Sequence, residues 1–316
     1  MIYSNLYHQG KEKLLLAGID EAELEARLLL EYVCGTTRSD LLAHGDMAVS
    51  EEQENRYENL IGRRMTRIPL QYLTGTQEFM GLTFSVSEHV LIPRQDTEIL
   101  VEEVLRNLHD GMRILDMCTG SGCILISLLH YSNDCEGVGA DISEEALAVA
   151  RENARKLLGA GKCQGNAEEL PDDGECREDG SMAVLKETGV EDGNKTGAIC
   201  FVCSDLFSNI SGRFDIIVSN PPYIRRNVLG TLMPEVRKHE PLQALDGGED
   251  GLELYRKIIE DSRAYLYGGG MLFFEIGYDQ GREVSTLMEQ AGFLEIQVVK
   301  DYAGLDRVVY GTRSVD

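Results

Sequence analysis

Apolar residues in the first part of the chain recur at helical spacing. Leu14, Leu15 and Ile19, then Leu24, Leu28 and Leu29, predict two helices. Gly35-Thr36-Thr37 reads as a turn, and Leu41 and Leu42 open a further segment. A helix is predicted over Glu51–Met65, with Tyr57, Leu60 and Ile61 on one face, and Pro69 follows it. Residues 1–75 thus read as a small N-terminal helical bundle. The period then changes. Phe79, Leu82, Phe84 and Val86 alternate as in strands, Gly81 and Ser87-Glu88 are turn positions, and residues 76–95 are predicted to be a β-hairpin linker.

Residues 96–316 read as one larger domain. Asp96 or Thr97 is expected to cap a helix to about Leu108. Apolar strand patterns follow at 113–117, 136–141, 200–203, 214–219, 270–276, 293–299 and 307–310. Helical patterns separate them, one starting near Gly122 and one capped by Ser143 with Ala146, Leu147, Ala150, Ala154 and Leu157 inward. The alternation predicts an α/β, Rossmann-like, seven-stranded sheet, parallel and doubly wound. Residues 160–198 break the pattern. They are rich in Asp, Glu and Gly and almost free of aromatics, which predicts a flexible acidic insertion, with a short helix around 182–187.

Charge narrows the partners. The 316 residues hold 30 Lys and Arg against 54 Asp and Glu, a formal charge of −24. Phosphate backbones are bound by cations that displace counterions, so general nucleic-acid binding is not expected. Arg63, Arg64 and Arg67, and Arg225 with Arg226, are the local basic groups that would have to overturn this. Eight cysteines are scattered. Cys200 and Cys203 form a lone C-x-x-C on a predicted buried strand, so no metal is expected there. No apolar run is long enough for a bilayer, and the chain is expected to be cytoplasmic with reduced thiols.

Four stretches carry candidate chemistry, each after a predicted strand, where ligands bind in such sheets. Asp116-Met-Cys118-Thr119-Gly120-Ser121-Gly122 is a glycine loop that lets backbone approach a ligand closely. Position 125 is Leu, so the third glycine of a dinucleotide fingerprint is missing. Asp141 is placed to accept from ribose hydroxyls and fits any adenosine cofactor. Asp205 can reach an adenine amino group, with Leu206 or Phe207 walling the ring. Asn220-Pro221-Pro222-Tyr223 fits transfer to a planar nitrogen. Such a nitrogen is a poor nucleophile, because its lone pair is delocalised, and must be held by acceptors and aimed. Asn220 and the Pro221 carbonyl offer the acceptors, the two prolines stiffen the loop, and Tyr223 can pack on the substrate plane. Glu275 could shape the pocket, and His239 reads as solvated.

The chain resembles the release-factor glutamine methyltransferases of the HemK/PrmC type. The resemblance is carried by 69–75, 78–82, Leu91-Ile-Pro-Arg94 with Asp96-Thr-Glu98, and 116–124. It continues through 140–143, 204–207, Asn220–Tyr223, Glu240-Pro241, 246–252, 275–277 and 301–307. It implies S-adenosylmethionine as cofactor, bound by Cys118, Thr119, Gly120, Ser121, Gly122, Asp141, Asp205, Leu206 and Asn220. It implies that Asn220, Pro221, Pro222 and Tyr223 bind the glutamine and serve the reaction. The implied substrate is the Gly-Gly-Gln loop of class I peptide-chain release factors. Cys118 stands where many methyltransferases have glycine. Three other readings remain open here: a ribosomal-protein glutamine methyltransferase, an adenine-N6 nucleic-acid methyltransferase, and a non-catalytic nucleotide-binding module.

Overall fold

The computed structural model describes residues 1–159 and 198–315. The predicted acidic insertion, with its short helix, falls almost wholly outside them. The chain divides into two units, Met1–Thr76 with Leu232–Glu240, and Gln77–Thr231 with Pro241–Asp316.

The first unit holds α1 (Tyr3–Leu16), α2 (Ala22–Cys34), α3 (Arg38–Ala43), α4 (Glu51–Met65) and α5 (Leu70–Thr74). Thr37 and Ser50 start α3 and α4 through capping boxes with Asp40 and Gln53, the reciprocal arrangement that satisfies orphan amides at a helix start. Asp20 stays outside α2, whose first turn has no side-chain cap. Leu14, Leu29, Leu30, Tyr57 and Ile61 are buried together. Leu15 and Leu24 are exposed instead, one position off the buried stripe. Residues 232–240 complete this unit through Glu235 on the short helix Pro234–His239. Arg64 grips both oxygens of Glu25 through Nε and Nη2, and its Nη1 lies 3.1 Å from Glu235 Oε1. Arg67 reaches the same oxygen at 3.1 Å and donates to the carbonyls of Ala17 and Gly18 at 2.9 and 2.8 Å.

The second unit opens with the hairpin β1 (Thr76–Phe79) and β2 (Leu82–Ser85), then α6 (Thr97–Asn107). The order continues β3 (Arg113–Met117), α7 (Cys123–Tyr131), β4 (Glu136–Asp141), α8 (Glu144–Leu158), β5 (Ile199–Cys203) and β6 (Phe214–Ser219). The Pro234–His239 helix is α9. After it come α10 (Glu253–Tyr265), β7 (Leu266–Glu275), α11 (Gly281–Gln290), β8 (Phe293–Lys300) and β9 (Asp306–Arg313). Ser143 caps α8 by accepting from the Ala146 amide at 3.1 Å.

The sheet has seven strands in the order β5-β4-β3-β6-β7-β9-β8. The first five are parallel, but β9 runs antiparallel to both β7 and β8. The all-parallel expectation fails at this edge for a simple reason. Only residues 301–305 separate β8 from β9, too few for the crossover that parallel neighbours need. Cores lie on both faces, one around Phe79, Leu100 and Ile126, the other around Ile217, Tyr255 and Phe274. After β5 the chain returns to the far side of β3 to form β6. This reversal puts the carboxyl ends of β3, β4, β5 and β6 around one crevice.

Candidate active site

The glycine loop leaves β3 with Cys118, Gly120 and Gly122 all left-handed, at φ 64°, 55° and 78°. Glycine accepts that conformation freely and an L side chain does not, so Cys118 carries local strain where a glycine would carry none. The loop is pinned from below. The Thr119 amide donates to the Ala140 carbonyl at 2.9 Å, and its hydroxyl to Asp116 Oδ2 at 2.6 Å. Asp116 is fully buried and its Oδ1 has no partner. Burial pushes its carboxyl up to about 7, against the opposing hydrogen bond from Thr119.

Asp141 closes over this loop. Its Oδ2 accepts from the Gly120 amide at 2.8 Å and its Oδ1 from the Ser143 amide at 3.0 Å. Each carboxylate oxygen keeps a second lone pair. Burial pushes its carboxyl above the usual carboxylate range, and the backbone amide bonds oppose that shift.

Beside these groups lies a cavity of about 270 Å³. Cys118, Thr119, Gly120 and Ser121 form one wall, and Asp141, Asp205 and Leu206 another. Asn220 and Pro222 face it from the end of β6. Three singled-out residues stand apart. Gly122 is the N-cap of α7, and Pro221 and Tyr223 do not line the cavity. Phe207 stacks on Tyr265 in the core, so Leu206 alone is available as a ring wall.

Tyr223 turns inward. Its hydroxyl donates to Glu275 Oε1 at 3.3 Å, and Glu275 is 1% exposed. Burial, then the neighbouring Glu275 charge, pushes the phenol up. Burial likewise raises the Glu275 carboxyl, against hydrogen bonds from Thr97 and Tyr223. The Asn220 side-chain nitrogen lies 3.4 Å from the Thr97 hydroxyl, a long hydrogen bond.

The loop after Tyr223 is held by residues 245–251. Ile224 pairs with Asp246 in an isolated parallel bridge. Gln280 Nε2 donates to the Tyr223 and Gly251 carbonyls at 3.1 and 3.2 Å. Gly247 passes so close that a Cβ there would lie 2.7 Å from Tyr223 Cα and 2.8 Å from the Pro222 oxygen.

Sequence reasoning assigned no ligand-binding role to Arg94, Thr97, Pro241, Gln243 or Ala244, which also line the cavity. Thr97 opens α6, the others belong to short stretches without strand or long-helix periodicity, and only topology brings them here. His239 lies elsewhere, with Nε2 3.3 Å from the Thr66 carbonyl. Arg225 and Arg226 pair with Asp279 and Asp246 at 2.8 and 2.9 Å. Among the described residues no cluster of His, Cys, Asp or Glu could hold a metal, and no helix is long and apolar enough to cross a membrane.

Two family models match the chain. One is described as the PrmC N-terminal domain and covers residues 5–75, and the other is a methyltransferase domain covering residues 108–179. The chain is 38% identical over 314 residues to a release factor glutamine methyltransferase of Clostridium botulinum, covering 98% of both chains. It is 39% identical over 297 residues to one of Clostridium acetobutylicum, covering 93% of each. It is 39% identical over 303 residues to one of Moorella thermoacetica, covering 95% of this chain and 94% of that one.

Proposed function

As this chain belongs to the release factor glutamine methyltransferases, we propose that Asn220 presents a substrate glutamine to S-adenosylmethionine held by the Gly120 loop. The reaction is methyl transfer to the side-chain amide nitrogen, N5. One observation carries the reading. The Gly120 loop, Asp141, Asp205 and Asn220, from the ends of four neighbouring strands, converge on one cavity.

The residues present suit the cofactor. Asp141 has lone pairs left for ribose hydroxyls after its two amide bonds, and Asp205 is a second acceptor for an adenine amino group. A Cβ built on Gly120 would meet nothing within 4 Å, so the loop leaves open space where the ligand passes. When bound, S-adenosylmethionine supplies an electrophilic methyl group on a sulfonium. The chain's work is positioning. Thr97 accepts from Asn220 Nδ2, which leaves Asn220 Oδ1 to accept from the substrate N–H. Pro222 stiffens the loop, and Gly247 and Gln280 fix its backbone. The gain in rate comes from holding a weak nucleophile in line.

The substrate we propose is the Gly-Gly-Gln loop of class I peptide-chain release factors, in the cytoplasm. Direct nucleic-acid binding is not part of the proposal. Of the basic residues that could have served it, Arg64, Arg67, Arg225 and Arg226 are engaged by carboxylates.

The test is transfer of labelled methyl groups to a purified release factor, beside a variant with the loop glutamine replaced. Label that depends on the glutamine supports the reading. No label, with S-adenosylmethionine still bound, would redirect it to ribosomal protein or RNA.

A further inference from the structure

We propose, on the reading above that this cavity holds S-adenosylmethionine, that Asn153 is a positioning residue for the cofactor loop. Asn153 lies on α8, fully buried and outside the cavity lining. Its Oδ1 accepts from the Ser85 amide at 2.7 Å. Its Nδ2 donates to two carbonyls at 3.0 Å each, those of Ser85 and Ser121. One side-chain amide therefore ties the end of β2 to the glycine loop.

The joint is placed where the loop is most sensitive. Ser121 is 2% exposed, lines the cavity and sits between two left-handed glycines. Its carbonyl shares a peptide plane with the Gly122 amide and lies one residue beyond Gly120, whose amide donates to Asp141, so a change in its orientation alters the turn that aims that amide. A second contact comes from the same helix face, three residues earlier. A Cβ on Gly122 would lie 3.2 Å from Ala150 Cβ, so α8 backs the loop at two successive points. Asparagine suits the position chemically. It offers an acceptor and two donors at short reach, whereas Asp has no donor when ionised and Leu has neither. Each group freed here would be buried without a partner, which costs more than a surface hydrogen bond.

The test uses the full chain. Asn153→Asp keeps size and the acceptor for the Ser85 amide but loses both donors. Asn153→Ser is the second variant, read the same way should the first not fold. S-adenosylmethionine affinity is measured by calorimetry, and kcat and KM by methyl transfer to a release factor, well below the melting temperature. The cofactor Kd and KM are expected to rise about tenfold. The kcat at saturating cofactor should stay within about twofold of the parent. A variant that melts lower yet binds the cofactor as the parent does would make Asn153 merely structural and overturn the proposal. So would a loss confined to kcat. A parent chain that binds no S-adenosylmethionine would instead remove the functional reading, an outcome visible before any variant is made.

Discussion

The side-chain nitrogen of Asn220 faces the hydroxyl of Thr97 across 3.4 Å, and the same hydroxyl hydrogen-bonds the buried Glu275 carboxylate. Thr97 gives its one proton to Glu275 and so meets Asn220 as an acceptor. The contact decides which end of the Asn220 amide faces the cavity. Asn220→Ala is expected to lower kcat at least about 100-fold, since small errors of placement are costly for a weak nucleophile. Cofactor affinity should be nearly unchanged, which a parallel binding titration checks.

Thr97→Val keeps the shape and removes the hydroxyl. The expected loss in kcat is about tenfold, and Thr97→Ser should restore most of it. Equal rates for the valine and serine variants would mean that the hydroxyl does not orient Asn220.

Gly247→Ala puts a methyl group against backbone, not against a mobile side chain. The clash with Tyr223 Cα and the Pro222 oxygen can be relieved only by moving the loop that carries Asn220. Activity is expected to fall about 100-fold while far-ultraviolet circular dichroism stays native. Parent-like activity would show that the loop tolerates displacement.

Asp116 predicts a stability profile. Its folded-state carboxyl is raised by burial to about 7, from an ordinary value of 3.8. The folded protein therefore binds this proton more tightly than the unfolded chain does. The contribution is fully present below the unfolded value and is lost as the pH rises towards about 7. Asp116→Asn keeps an acceptor for Thr119 and abolishes the titration. Between about pH 5 and about pH 8 the parent's melting temperature should fall relative to the variant's. A constant difference across that range would place the group's titration elsewhere.

Arg64→Met should destabilise the first unit by about 3 kcal/mol, because it strands the Glu25 carboxylate and leaves Glu235 with Arg67 alone, at a site where the guanidinium side chain is only 6% exposed. Urea unfolding followed through that unit's tyrosines would measure it. A loss within the scatter of surface substitutions would show that water reaches Glu25 and Glu235 readily.

Much of the fold is written in short-range pattern. Residues 51–65 form the helix their periodicity implies, and Arg113–Met117, Glu136–Asp141 and Phe214–Ser219 are the strands their apolar runs imply. The placement of candidate residues next to a strand end is legible for the same reason, since chain direction alone puts Asp141, Asp205 and Asn220 at one edge. Thr97, Asn153 and Gly247 have long-range contacts that are not legible. Each acts on a residue far away in sequence through a single contact, and nothing local distinguishes Asn153 from any polar residue on an amphipathic helix. Tyr223 has a partner that its motif does not announce, since a buried carboxylate on β7 accepts from its phenol.

The N-terminal helices are completed by nine residues, Leu232–Glu240, encoded more than 150 positions later. Evolution and engineering meet the same constraint there. A chimera that transplants only residues 1–76 onto another catalytic domain leaves Arg64 and Arg67 without Glu235. A working graft must carry both stretches, so the helical unit is inherited as a pair of sequence blocks and not as a detachable head.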